Sequence, residues 1–193
     1  LRVVEKLENN GEGLNLTWEV RDGIVNHSGE NKASTLEGVI IKFADRIAYI
    51  NHDIDDAVRG NVIKEDDIPR ELSEVLGYTH SNRINTMVTS VIEGSRELDD
   101  IKMTPEVWDA TNKLRNFLFE RVYYNSSAKK EERKAVEMLR QLFGYFCKYP
   151  EKMPEFYYNN TKNESVERCV CDYVAGMTDR YAIEMYKDLF IPH

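Results

Sequence analysis

The residues best suited to chemistry lie in one stretch, 34–59. On a helical wheel at about 100° per residue with Asp45 at zero, Asp45, Tyr49, His52, Asp53 and Asp56 fall between roughly −20° and 80°. One face therefore carries a ribbon of carboxylates with one tyrosine and one histidine. Carboxylate and imidazole groups are suitable ligands for divalent metals. A phosphate substrate would require such a metal there, because acids alone repel it. The same ribbon also fits a purely solvated polar face, the common fate of charge-rich helix surfaces.

The opposite side of this stretch says what must hold the ribbon in place. Phe43, Ile47, Ile50, Ile54, Ala57 and Val58 fall between roughly 120° and 220° on the same wheel, a core-facing stripe of ordinary width. Gly60 and Asn61 stop the helix. Around it, the pattern predicts helices over about 14–27, 69–76, 81–98, 105–124, 128–148 and 165–189. Thr104-Pro105-Glu106 is a strong start signal: a hydroxyl cap, a proline in the first turn and an acid beside it. Asn125-Ser126-Ser127 reads as a break. Strand signals are nearly absent, so the chain reads as all-α. No repeat, low-complexity tract or Gly/Ser linker divides it, which predicts a single helical unit.

Composition excludes several classes. There are 26 Lys and Arg against 34 Asp and Glu, a net charge of −8. A basic footprint for a nucleic-acid polymer is missing. No apolar run approaches the ~20 residues of a membrane span, and there is no signal-peptide pattern. Three cysteines do not make a disulfide scaffold. Cys169 and Cys171 read as reduced thiols of a cytoplasmic protein. The chain opens on Leu1 and runs directly into a charged helical pattern, which reads as an interior start.

Four blocks carry a resemblance. They are Leu14-Asn15-Leu16-Thr17, Thr35-Leu36-Glu37-Gly38, Ala44-Asp45-Arg46-Ile47-Ala48-Tyr49-Ile50-Asn51-His52-Asp53-Ile54-Asp55-Asp56-Ala57, and Cys171-Asp172-Tyr173-Val174-Ala175-Gly176-Met177-Thr178-Asp179-Arg180-Tyr181-Ala182. Together they resemble the bacterial deoxyguanosine triphosphate triphosphohydrolase-like proteins of the HD superfamily. The resemblance implies an all-α HD-superfamily fold. It implies hydrolysis of dNTPs to deoxynucleoside and triphosphate, with a divalent metal (Mg, Mn, Fe, Co or Ni) as Lewis acid. The family holds that metal with a His, a His-Asp dipeptide and a later Asp, and the later Asp matches Asp45. His52-Asp53 is a different dipeptide from the family's. At ~1.5 Å per residue it stands about 10 to 12 Å along the helix from Asp45, too far for two ligands of one ion.

A eukaryotic dNTPase with SAM and HD domains has, after its metal Asp, a basic residue that contacts phosphate, then a Tyr and an Asp that address the sugar. Arg46, Tyr49 and Asp53 match these positions. Arg115 and Tyr123 match that relative's phosphate-binding Arg and base-proximal Tyr. A surface salt bridge for Arg46, and a helix packing its aromatics into core with Arg115 outside, remain open for these positions.

The resemblance divides the chain into 1–62, the C-terminal part of the HD core with the last metal-ligand helix, and 63–193, the family's C-terminal helical region packed with it. The catalytic residues are expected upstream, and none in this chain is assigned that role. His27 reads as a helix-end histidine satisfied by carbonyls. His80 reads as a helix-entry residue, with a regulatory nucleotide contact as the alternative. Expected partners are a dNTP substrate, a regulatory dNTP and further copies of the chain. A nucleotide-sensing assembly module without hydrolysis, and an HD-type phosphodiesterase or phosphomonoesterase, are the competing functions.

Overall fold

A computed structural model describes residues 1–97, 99–124 and 128–192. Among the described residues all regular structure is helical. The helices are α1 (Trp18–Asn26), α2 (Leu36–Arg59), α3 (Arg70–Leu76), α4 (His80–Ser95), α5 (Pro105–Leu118), α6 (Ala128–Lys148), α7 (Glu155–Asn160), α8 (Val166–Ala175) and α9 (Asp179–Phe190). Val3–Leu7 forms a π-helical turn. No helix among the described residues is long and apolar enough to cross a membrane.

The chain divides into two compact units, Leu1–Val4 with Leu14–Ser126, and Glu5–Gly13 with Ser127–His193. The boundary expected near residue 62 falls inside the first unit, and the single helical unit read from composition gives way to two. The division falls between Ser126 and Ser127, inside the Asn125-Ser126-Ser127 stretch that reads as a break.

In the first unit α2 packs against α1, α4 and α5, and α3 against α4 and α5. Its core contains Ile47, Ile50, Ile54 and Ala57 of α2, with Leu72, Leu76, Met87, Val107, Ala110, Leu114 and Leu118. Phe43 and Val58 flank that core, so the whole stripe read from the wheel faces inward. Thr35 caps α2, its hydroxyl accepting from the Gly38 N–H at 3.2 Å. Gly38 also permits a close approach. A Cβ there would stand 2.6 Å from Ala33 Cβ and 3.3 Å from Gly23 Cα, so a side chain would force α1 and α2 apart.

The second unit closes around Leu142, Phe146, Met153, Cys169, Val170, Tyr173 and Ala182. Here α8 packs on α6 and α7, and α9 packs on α6. The helix expected over 165–189 is two helices. Gly176 ends α8, and the Thr178 hydroxyl accepts from the Tyr181 N–H to start α9. The apolar period continues across the break, which is why periodicity alone merges them. The short α7 starts after Pro154 and was not expected. The α-helix read over 105–124 widens at Leu118 into a π-helical turn, Phe119–Tyr123. The predicted break at Asn125-Ser126-Ser127 and the helix end near Leu98 lie outside the described residues.

Candidate functional site

Asp45, Arg46, Tyr49 and Asp53 share α2, and α5 with its π turn contributes Arg115 and Tyr123. Both elements belong to the first unit, and α2 packs directly on α5. Burial of Ile47, Ile50 and Ile54 fixes the rotation of α2 and thereby turns Asp45 and Tyr49 outward.

Asp53 and Tyr123 are joined, the Tyr123 hydroxyl donating to Asp53 Oδ2. Partial burial raises the Asp53 carboxyl above its ordinary value. The Tyr123 hydrogen bond works against that rise, and the nearby Asp56 charge adds to it. Tyr123 is pushed well above the usual phenol range, first by burial and then by the hydrogen bond and charge of Asp53. The Tyr49 hydroxyl adds to the effect, which places it beside the pair. Tyr49 itself is 61% exposed.

Arg46 is half-buried, and its guanidinium carbon lies 4.7 Å from the centre of the Trp108 ring. Its Nη1 is buried and has no hydrogen-bond partner. Burial, and then the positive charge of Arg115, lower its pKa from the ordinary value. Arg115 is exposed and rests its guanidinium 4.9 Å over the Phe119 ring. Neither arginine forms an ion pair among the described residues. The surface salt bridge considered for Arg46 is thus not formed there. Two unneutralised guanidiniums within electrostatic reach of each other make an anion-attracting surface.

Asp45 is exposed on the same helix. Among the described residues no group of three or more His, Cys, Asp or Glu side chains gathers into a metal site. Asp45 offers one oxygen donor of the hard type that divalent ions take. The chain thus brings Asp53, Tyr123 and Tyr49 together, and Arg46 with Arg115, while Asp45 stands as a single carboxylate.

The histidines divide as their sequence contexts suggest, with one addition. His27 Nδ1 lies 2.6 Å from the Ile24 carbonyl oxygen at the end of α1. His80 opens α4 behind the Thr79 cap, and its Nδ1 lies 2.7 Å from Asp55 Oδ2. The His52 and His80 rings approach to 5.7 Å.

Three residues around the site escaped sequence reasoning. Asn51 and Arg83 are buried at 0% and 2% exposure, with Arg83 Nε donating to Asn51 Oδ1 at 3.2 Å. Asn51 Nδ2 in turn donates to the Ile47 carbonyl at 2.8 Å. A signal existed for Arg83: it precedes Met87 by one turn on the inward face of α4. The third residue, Trp108, looks like an ordinary half-exposed aromatic until Arg46 is seen on its face.

Residues 101–188 match the phosphohydrolase-associated domain family. The whole chain is 52% identical to a deoxyguanosinetriphosphate triphosphohydrolase-like protein of Caldanaerobacter subterraneus subsp. tengcongensis, of which it spans 57%. Proteins with the same description from Clostridium tetani and Geobacter metallireducens are 43% and 32% identical over the full chain, which covers 58% and 63% of their lengths. The chain therefore spans less than two thirds of the relatives it matches.

Proposed function

We propose that this chain, which carries a phosphohydrolase-associated domain and is similar along its whole length to part of the deoxyguanosinetriphosphate triphosphohydrolase-like proteins, supplies the nucleotide-holding side of a dNTP triphosphohydrolase. The observation that carries the reading is the grouping on α2 and α5: two unneutralised guanidiniums beside a tyrosine-bonded carboxylate.

Arg46 and Arg115 bind the triphosphate through charge-assisted hydrogen bonds. Asp53, oriented by the Tyr123 hydroxyl, accepts the 3′-hydroxyl proton of the sugar through a free lone pair. Tyr49 lies beneath the deoxyribose and leaves no room for a 2′-hydroxyl. Asp45 is the residue of this chain that would hold a divalent ion, and the ion supplies Lewis acidity for attack of water at phosphorus. The remaining ligands and the proton-transfer groups belong, in this reading, to the portion of the relatives' length beyond this chain, in a cytoplasmic oligomer that also binds dNTP as a regulator.

The test is release of triphosphate from each dNTP with Mn²⁺, using the full-length protein that contains this chain. Asp45→Ala should lower turnover by at least about 100-fold. Near-normal turnover would remove Asp45 from the site. Orthophosphate in place of triphosphate would favour the phosphomonoesterase reading.

A further inference from the structure

We propose that Trp108 is a positioning residue that holds the Arg46 guanidinium in its phosphate-binding orientation. This rests on the reading of Arg46 as a phosphate ligand and adds the part that keeps it poised.

A half-buried arginine is usually satisfied by a carboxylate, which occupies the in-plane N–H donors along the guanidinium edge. Arg46 is arranged differently. Its guanidinium carbon lies over the Trp108 ring, 4.7 Å from the ring centre, while Nη1 is buried without an acceptor. The contact offsets part of the cost of desolvating the cation. It also restrains the group while no carboxylate occupies it, so its donors other than the buried Nη1 are left to donate to phosphate oxygens.

Trp108 is itself held from behind. Its ring meets Phe43 edge-on, with centroids 5.9 Å apart and planes at 64°. Phe43 packs against the core of the first unit, and Val107 and Thr111 on either side of Trp108 in α5 are buried. The result is a stack of core, Phe43, Trp108 and Arg46. Phe43 and Arg46 are one turn apart on α2, so the tryptophan from α5 closes a clamp on a single turn of the site helix. Arg115 repeats the device with Phe119 at 4.9 Å. Two like charges near each other are thus held by aromatic faces instead of by acids, and their charge is not cancelled before a polyanion binds.

The experiment measures equilibrium binding of inorganic tripolyphosphate to the full-length protein, alongside thermal melting and the split between KM and kcat for dGTP. Trp108→Leu should weaken tripolyphosphate binding about 2- to 30-fold, the range a cation–π contact spans. The loss should appear mainly in KM, and Trp108→Phe should restore most of it. In an Arg46→Ala background, Trp108→Leu should have no further effect on binding, because the partner it positions is gone. Full binding by Trp108→Leu, or independent losses from the two substitutions, overturns the role of Trp108 alone. Full binding by Arg46→Ala overturns the phosphate assignment beneath it. Should Trp108→Leu melt early, Trp108→Phe decides: normal melting without recovered binding also overturns the inference.

Discussion

The two compact units treat their polar groups in opposite ways. In the first unit buried donors are left waiting. Among the described residues Arg46 Nη1 and Arg83 Nη2 are buried without a hydrogen-bond partner, whereas His80 Nδ1 faces Asp55 Oδ2 at 2.7 Å. In the second unit polar rings answer one another. The Tyr173 and Tyr181 hydroxyls lie 2.9 Å apart, and the Tyr186 hydroxyl donates to Gln141 Oε1 at 3.2 Å. The Tyr173 ring packs edge-on against Phe146 at 5.0 Å and tilted against Tyr157 at 5.1 Å. A buried donor without an acceptor costs free energy. The Arg46 guanidinium makes no ion pair among the described residues, whereas the second unit pairs its tyrosine hydroxyls internally. Arg83 differs from Arg46 in this respect: one edge already donates to Asn51, and Glu65 and Asp55 supply opposing charge nearby.

The sharpest way to break this contrast is to cut into the second unit's aromatic core. Phe146 is 1% exposed and contacts both Tyr145 and Tyr173. Phe146→Ala should cost about 3–5 kcal/mol, the range for deleting a buried aromatic ring. Urea unfolding followed by circular dichroism would measure it. A cost under about 1 kcal/mol would mean that the second unit has a plastic core, able to collapse into the space left.

A smaller cut tests the internal pairing itself. Burial and the Tyr181 hydroxyl together raise the Tyr173 pKa well above the ordinary phenol range, so the Tyr173 ring stays neutral. Tyr173→Phe removes the hydrogen bond with Tyr181 and little packing, and should cost about 0.5–1.5 kcal/mol. Melting temperature reads the loss, and turnover of the full-length protein should not change. A fall in turnover with an unchanged melting point would show that the tyrosine pair serves the reaction.

The same contrast explains what was legible in the sequence. The stripe of Phe43, Ile47, Ile50, Ile54, Ala57 and Val58 was readable because a 3.6-residue period is a direct image of burial. The helix start at Thr104-Pro105 was readable from the proline in its first turn, but the Thr104 hydroxyl expected to cap it pairs with Ser90 Oγ at 2.8 Å and caps no backbone N–H. The division of 165–189 was not, because the apolar period runs across Gly176 and only the Thr178 cap reveals the turn. The block from Asp172 to Tyr181 is the most distinctive string in the chain, yet its Tyr173 packs in the second unit's core and its threonine caps α9. Distinctive wording therefore led equally to site and to packing. Asp53 and Tyr123 were singled out separately, but their bond joins residues 70 apart and no local pattern encodes it. Trp108 was invisible for the same reason: its partner lies on another helix.

The smallest effect concerns the charge on Asp53, and it carries a sign. Burial raises the Asp53 pKa above that of an unfolded aspartate. The folded state therefore favours the protonated form, and the stability from this group is present in acid and lost as pH rises through the shifted pKa. Asn carries no charge at any pH, and its Oδ1 still accepts from the Tyr123 hydroxyl. Asp53→Asn should melt at or slightly above the parent at pH 7, with the gap closing towards pH 4. Melting curves between pH 4 and 8 would show the convergence. Its KM for dGTP should nevertheless rise, because a neutral amide is a weaker acceptor for the 3′-hydroxyl than a carboxylate. A variant that melts well below the parent at pH 7 would make the Asp53 charge a structural element of the first unit, and its likeness to the self-satisfied second unit would then be greater than the unpaired arginines suggest.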